Sequence, residues 1–146
     1  MGRKSGLFVL SLVLCFCAFD GNCGTQPPPS ARLLDARTVS LENFATGCAQ
    51  CSNHAYRELA QWKRLKVVAE EREADLIFQF SGKTEATRMP TDGAGSTEYW
   101  IYLTVLDAKT GEGLWNSALE MRFQGQPGKE LVQRFRKMID HADQNH

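Results

Sequence analysis

Cys48 and Cys51 stand three residues apart in the stretch 46–54, TGCAQCSNH, just ahead of a segment with helical spacing. Residue types and spacing allow three chemistries there. As a disulfide, the pair closes a very small loop in an oxidising compartment. Such a loop contributes about 2 kcal/mol or less by chain entropy and braces the corner between strand and helix. As a redox pair, the first thiol gains acidity from the free amides and dipole of a helix start, so Cys48 attacks a substrate and Cys51 resolves it. As a metal site, the two thiolates and His54 offer zinc three ligands, and a fourth is required for tetrahedral closure. His141 and His146 lie near the chain end, where solvation is the simpler reading, so no metal site is assigned. The spacing is not CxxCH, so covalent haem attachment is not indicated.

Strand, CxxC, helix is also the entry to a thioredoxin-like fold, and Met89-Pro90-Thr91 resembles the proline loop that faces the cysteines there. The chain departs from that pattern in three places. Thr46-Gly47 replaces an aromatic residue before Cys48, no helix fits between residues 82 and 90, and Asp92-Gly93-Ala94-Gly95 interrupts the strand that should follow Pro90. Pro90 is therefore expected on a hairpin tip, far from Cys51. Outside the pair the chain marks no catalytic residue and no cofactor: it has no nucleophile elbow, phosphate-binding glycine loop or zinc-protease motif. Glu70, Glu71, Glu73 and Asp75 read as a solvated acidic turn.

The compartment follows from the amino terminus. Arg3 and Lys4 precede an apolar run from Leu7 to Phe19, the layout of a secretory signal. The run is shorter than the roughly 20 residues a membrane span needs, although a retained anchor is the alternative. Cys23, followed by Gly24-Thr25-Gln26-Pro27-Pro28-Pro29-Ser30, sits where a bacterial lipoprotein carries its lipid. Asp20 and Asn22 depart from the small apolar residues expected before a lipidated cysteine; the other reading is cleavage between Ala18 and Thr25. The expected organisation is a signal over residues 1–23, a proline-rich linker over 24–35, one domain over 36–142 and a tail over 143–146. About 120 residues remain after the leader, enough for one small core. Basic and acidic side chains balance at 17 each. The cluster Arg134-Phe135-Arg136-Lys137 reads as the solvated face of a helix, so nucleic acid is not expected as a partner.

The elements that must position the cysteines come from periodicity. Thr38 to Phe44 alternates as a strand with Val39 and Leu41 on one face. Residues 53–65 place Ala55, Leu59 and Trp62 at helical spacing, with Ser52 or Asn53 as cap and Lys63, Arg64 and Lys66 gathered at the end where the dipole favours cations. Lys66-Val67-Val68 and Asp75 to Ser81 read as strands, and residues 82–97 as a long loop. Glu98 to Asp107 carries Tyr99, Ile101, Leu103 and Val105 on one face and Trp100, Tyr102 and Leu106 on the other. A strand apolar on both faces is usually central and covered twice. If one face is left open, Trp100 and Tyr102 form a partner-binding patch. A strand from Gly113 to Phe123 and a helix from about Lys129 to Ala142 complete the order β-α-β-β-β-β-α. The fold class expected is α+β: a two-layer sandwich with a mostly antiparallel sheet and the helices on one face.

This order, with Lys66-Val67-Val68 ahead of the strand that starts at Ala74-Asp75-Leu76 and a hairpin LDAKTGEGLW ending on Trp115, resembles exported bacterial envelope domains. They are the amino-terminal domain of TolB and the core of CsgG-type lipoproteins. The resemblance covers roughly residues 36–142. It implies a non-catalytic accessory module of the periplasm or outer membrane that contacts other envelope proteins and meets the membrane only through its signal or a lipid anchor. It leaves Cys48 and Cys51 unexplained.

Overall fold

The computed structural model describes residues 30–87, 96–121 and 125–144. The expected signal over residues 1–23, with Cys23, and Met89-Pro90, Phe123 and His146 lie outside the described residues. Five strands form one sheet: β1 (Thr38–Asn43), β2 (Lys66–Val67), β3 (Leu76–Thr87), β4 (Ser96–Asp107) and β5 (Gly113–Glu120), in the order β2-β1-β3-β4-β5. Both neighbours of β1 run parallel to it, while β3–β4 and β4–β5 are antiparallel hairpins. A parallel return needs a crossover, and helix α2 (Cys51–Trp62) supplies it between β1 and β2. The long β3–β4 register makes antiparallel pairing dominant, so the α+β class and the order β-α-β-β-β-β-α hold.

Several boundaries differ from expectation. Residues 82–97 are not one loop: β3 runs on to Thr87 and β4 starts at Ser96, so the hairpin arms absorb half of that segment. Cross-strand pairing outweighs the weak strand propensity of Gly82-Lys83-Thr84-Glu85. Helix α2 starts at Cys51, with Gln50 rather than Ser52 or Asn53 in front of it and no side-chain cap. Part of the expected linker is folded: Ala31–Asp35 forms a short helix, α1, whose Leu33 is buried in the core. Burial of Leu33 and Ala36 ties this segment to the domain.

The last helix, α3 (Pro127–Asp143), begins two residues before the expected Lys129. Proline suits a first helical turn because its fixed φ is helical and the amide it lacks would have had no partner. One core lies between the helices and the sheet. Phe135 of α3 is its centre, meeting Phe78, Trp115 and Trp62 edge to face at centroid distances of 5.0, 5.3 and 6.2 Å. Val39, Phe78, Phe80, Ile101, Leu103 and Val105 line the sheet side of this core. Register places Trp100, Tyr102, Thr104 and Leu106 on the opposite face, where they are partly exposed, and no helix among the described residues covers them. Among the described residues β4 is thus flanked by two strands, with helices on one face alone.

Candidate functional site

The chain leaves β1 and turns into α2 through residues 44–50. Asn43 holds this corner: its Nδ2 donates to the Cys48 carbonyl at 2.8 Å, and its Oδ1 accepts from the Ala45 amide at 3.1 Å. Cys48 and Cys51 are joined as a disulfide, with Cα atoms 5.4 Å apart. Both are buried, Cys48 at 5% exposure and Cys51 at 0%. The start of α3 packs against Cys51. Pro127 and Gly128 are buried, and a Cβ on Gly128 would overlap the Cys51 carbonyl. A nucleophilic first cysteine needs an accessible sulfur, and here both cysteines are buried, with the start of α3 packed on the Cys51 backbone. His54 does not complete a ligand set, and its Nδ1 is shielded without a hydrogen-bond partner. No group of three or more potential metal ligands occurs among the described residues.

Tyr99 ties the same corner to the sheet. Its hydroxyl accepts from the Gly47 amide at 2.8 Å and lies 3.3 Å from the Thr46 hydroxyl. The ring occupies the space where side chains on Gly47 and Gly82 would stand. Tyr99 pairs with Thr84 across the hairpin and leans diagonally over Gly82 on the same face, an aromatic ring covering a strand glycine.

The open face of the sheet is the second feature. Trp100 and Tyr102 lie there together, as alternation requires. Ser81 and Ala118 flank Tyr102 on the adjacent strands, so the ring stands between two small neighbours. Phe44 joins them. Its amide donates to the Phe80 carbonyl at 2.8 Å, which continues the ladder one residue past β1 and sets Phe44 beside Ser81 on this face. It is 62% exposed. Sequence reasoning passed over Phe44, although its parity, opposite to that of Val39 and Leu41, was the available signal. The Trp100 indole N–H is shielded from solvent and has no acceptor.

Two carboxylates have roles that were not read from the sequence. Asp75 is not a solvated turn residue: its Oδ2 accepts from the Arg37 amide at 2.9 Å, the Thr38 amide at 3.0 Å and the Thr38 hydroxyl at 2.9 Å. The Arg37 amide bond above all, with the bonds from Thr38, holds its pKa below the usual carboxylate range. Its neighbour Glu71 shifts the other way, because a hydrogen bond and like charge from Glu42 favour its protonated form. Glu58, only 5% exposed, joins α2 to α3: it accepts from Gln133 Nε2 at 3.2 Å and pairs with Arg136 at 3.7 Å. Trp62 Nε1 donates to Asp140 at 3.2 Å, and Arg64 pairs with Asp143, along the same seam.

No family model matches the chain, and no curated protein matches it. Solved structures do. The PelC dodecamer from Paraburkholderia phytofirmans is 15% identical, with 77% of this chain and 92% of that chain covered and a TM-score of 0.43. An uncharacterized lipoprotein B from Nitrosomonas europaea is 17% identical over 75% of this chain and 79% of that chain, with a TM-score of 0.38. Lipoprotein GNA1162 from Neisseria meningitidis is 11% identical over 75% and 99%, with a TM-score of 0.36.

Proposed function

We propose that this chain is an exported, non-catalytic accessory domain of the bacterial envelope, and that it contacts another envelope protein through the open face of its sheet. The observation that carries the reading is the aromatic group on that face: Phe44 and Tyr102 lie in one cross-strand row on either side of Ser81, Trp100 stands two residues from Tyr102 on β4, and no helix among the described residues lies over them. Apolar surface of this kind marks contact sites when it is contiguous. Aromatic side chains carry a large share of binding energy because they present wide, rigid area at low entropic cost. Ser81 and Ala118, both small, flank Tyr102 on the adjacent strands and leave its ring free for a partner.

The leader with its basic start and apolar run supports export, and Cys23 is the residue that would carry a lipid. Burial of the Cys48–Cys51 disulfide supports a bracing role for it and speaks against thiol exchange as the activity.

The test is a photo-crosslinking amino acid placed at Tyr102, and separately at exposed Lys129 on the helix layer, in the full chain expressed in a bacterium. Adducts with envelope proteins are expected from position 102 and not from 129, and Trp100→Ala should remove them while circular dichroism stays unchanged. Adducts that form equally from both positions, or that survive Trp100→Ala with Tyr102→Ala, would remove the open face from consideration. Fractionation of Cys23→Ala against the parent tests the anchor separately.

A further inference from the structure

β2 is an edge strand of only two residues. Its inner side is used: the Lys66 amide donates to the Arg37 carbonyl at 2.8 Å and the Val68 amide to the Val39 carbonyl at 2.9 Å. Strand alternation therefore turns the N–H and C=O of Val67 away from the sheet. Beside this edge, between β2 and α2, runs a groove of about 420 Å³. Leu59, Leu65 and Val67 give it an apolar floor, and Tyr56, 54% exposed, stands on its rim.

Four cations line the groove: Arg37, Lys63, Arg64 and Lys66. Arg64 is committed to Asp143 and to the Leu34 carbonyl. Among the described residues no carboxylate forms an ion pair with the other three. A chain with balanced charge overall thus collects uncompensated positive charge along one sheet edge.

Lys63 adds a second observation. It ends α2 in the left-handed region, with φ 61° and ψ 4°, and its amide closes on the Leu59 carbonyl at 3.0 Å. Among the described residues it is the one non-glycine residue with positive φ. Glycine occupies this helix-ending position without steric penalty, and a β-carbon there is unfavourable. A lysine kept in such a backbone, with its side chain lining the groove, points to use of that side chain.

We propose that this groove accepts an extended acidic segment of a partner protein, which adds to β2 as a further strand. Its backbone meets the outward groups of Val67, alternate apolar side chains rest on Leu59 and Leu65, and its carboxylates meet Arg37, Lys63 and Lys66. Main-chain pairing supplies affinity in this mode and the flanking pockets supply selectivity. The groove lies on the helix side of the sheet, so the inference stands independently of the aromatic face.

Fluorescence anisotropy of the purified full chain tests it with a labelled synthetic hexapeptide alternating glutamate and valine. Saturable binding is expected, weakened at least fivefold by 0.5 M salt, by Lys63→Gly and by Lys66→Glu. Lys63→Gly relieves the backbone, so it should unfold at the parent's urea concentration or higher while binding falls. A peptide N-methylated at alternate amides keeps its charge but cannot pair as a strand, and should bind at least tenfold more weakly. Absence of binding, equal binding of a lysine–valine hexapeptide or of the N-methylated peptide, or full binding by Lys63→Gly would each overturn the proposal. So would retention on phosphatidylglycerol vesicles without affinity for the peptide, which would assign the cations to a membrane surface.

Discussion

Gly128 packs so closely on Cys51 that a β-carbon on the glycine would overlap the cysteine carbonyl. The starts of α3 and α2 therefore touch through backbone beside the buried disulfide. Gly128→Ala forces a methyl group into main-chain atoms that cannot rotate away. Overpacking of this kind costs about 1–3 kcal/mol. The urea midpoint should fall accordingly with the m-value unchanged. A variant as stable as the parent would mean that α3 can lift away from α2 without loss, and that the cysteines are less enclosed than their burial indicates.

The same enclosure sets the behaviour of the sulfurs. Dithiothreitol should reduce the Cys48–Cys51 bond slowly in the folded protein and quickly in urea, as read by alkylation and mass spectrometry. Cys51→Ser should cost about 2 kcal/mol, the value chain entropy assigns to so small a loop. It should leave crosslinking from position 102 intact, since the open face lies across the sheet. Fast reduction under native conditions, or turnover of an insulin substrate, would reinstate the redox reading.

What was legible in the sequence is what depends on neighbours along the chain. The alternation of Tyr99, Ile101, Leu103 and Val105 identified β4 and its buried face, and three-residue spacing brought Cys48 and Cys51 within bonding reach. What was not legible depends on partners far away. Helix α1 has five residues, too few to show a period, and is held by burial of Leu33 in the core. Gly47 and Gly82 look like ordinary turn glycines until the β3–β4 register lays Tyr99 over them. Asp75 looks like the glutamates before it because its partners, Arg37 and Thr38, lie at the entry to β1, far back along the chain. The groove cations straddle a crossover: Lys63, Arg64 and Lys66 were visible as a group, but Arg37 joins them only once β2 pairs with β1.

Asp75 gives a pH prediction. Three donors from Arg37 and Thr38 stabilise its charged form, so its folded pKa lies below that of the unfolded chain, about 3.9. The resulting stability is fully present above that value and is lost as pH falls through the lower, folded pKa. Asp107 acts in the same direction, chiefly because the Thr110 amide, followed by that of Lys109, donates to it. Urea midpoints should therefore be flat from pH 7 to about 5 and drop below about 4, and Asp75→Asn should be weaker at neutral pH with a shallower acid limb. An acid limb as steep in Asp75→Asn as in the parent would assign the loss to other carboxylates.

Tyr99→Phe separates the hydroxyl of the corner clamp from its ring. The ring would keep its place over Gly82, since the space it fills is unchanged. The Gly47 amide would lose its acceptor, and a hydrogen bond of this type contributes about 1 kcal/mol. The expected result is a loss of about that size in urea unfolding, together with faster hydrogen exchange at the Gly47 amide. Exchange elsewhere in β3 and β4 should stay at parental rates, because their ladder is untouched. Gly82→Val, by contrast, would compete with the ring for the same volume and should displace it, at a cost beyond that of Tyr99→Phe. If Gly82→Val were the milder of the two, the ring would not be seated on that glycine, and the corner would be held by Asn43 and the disulfide alone.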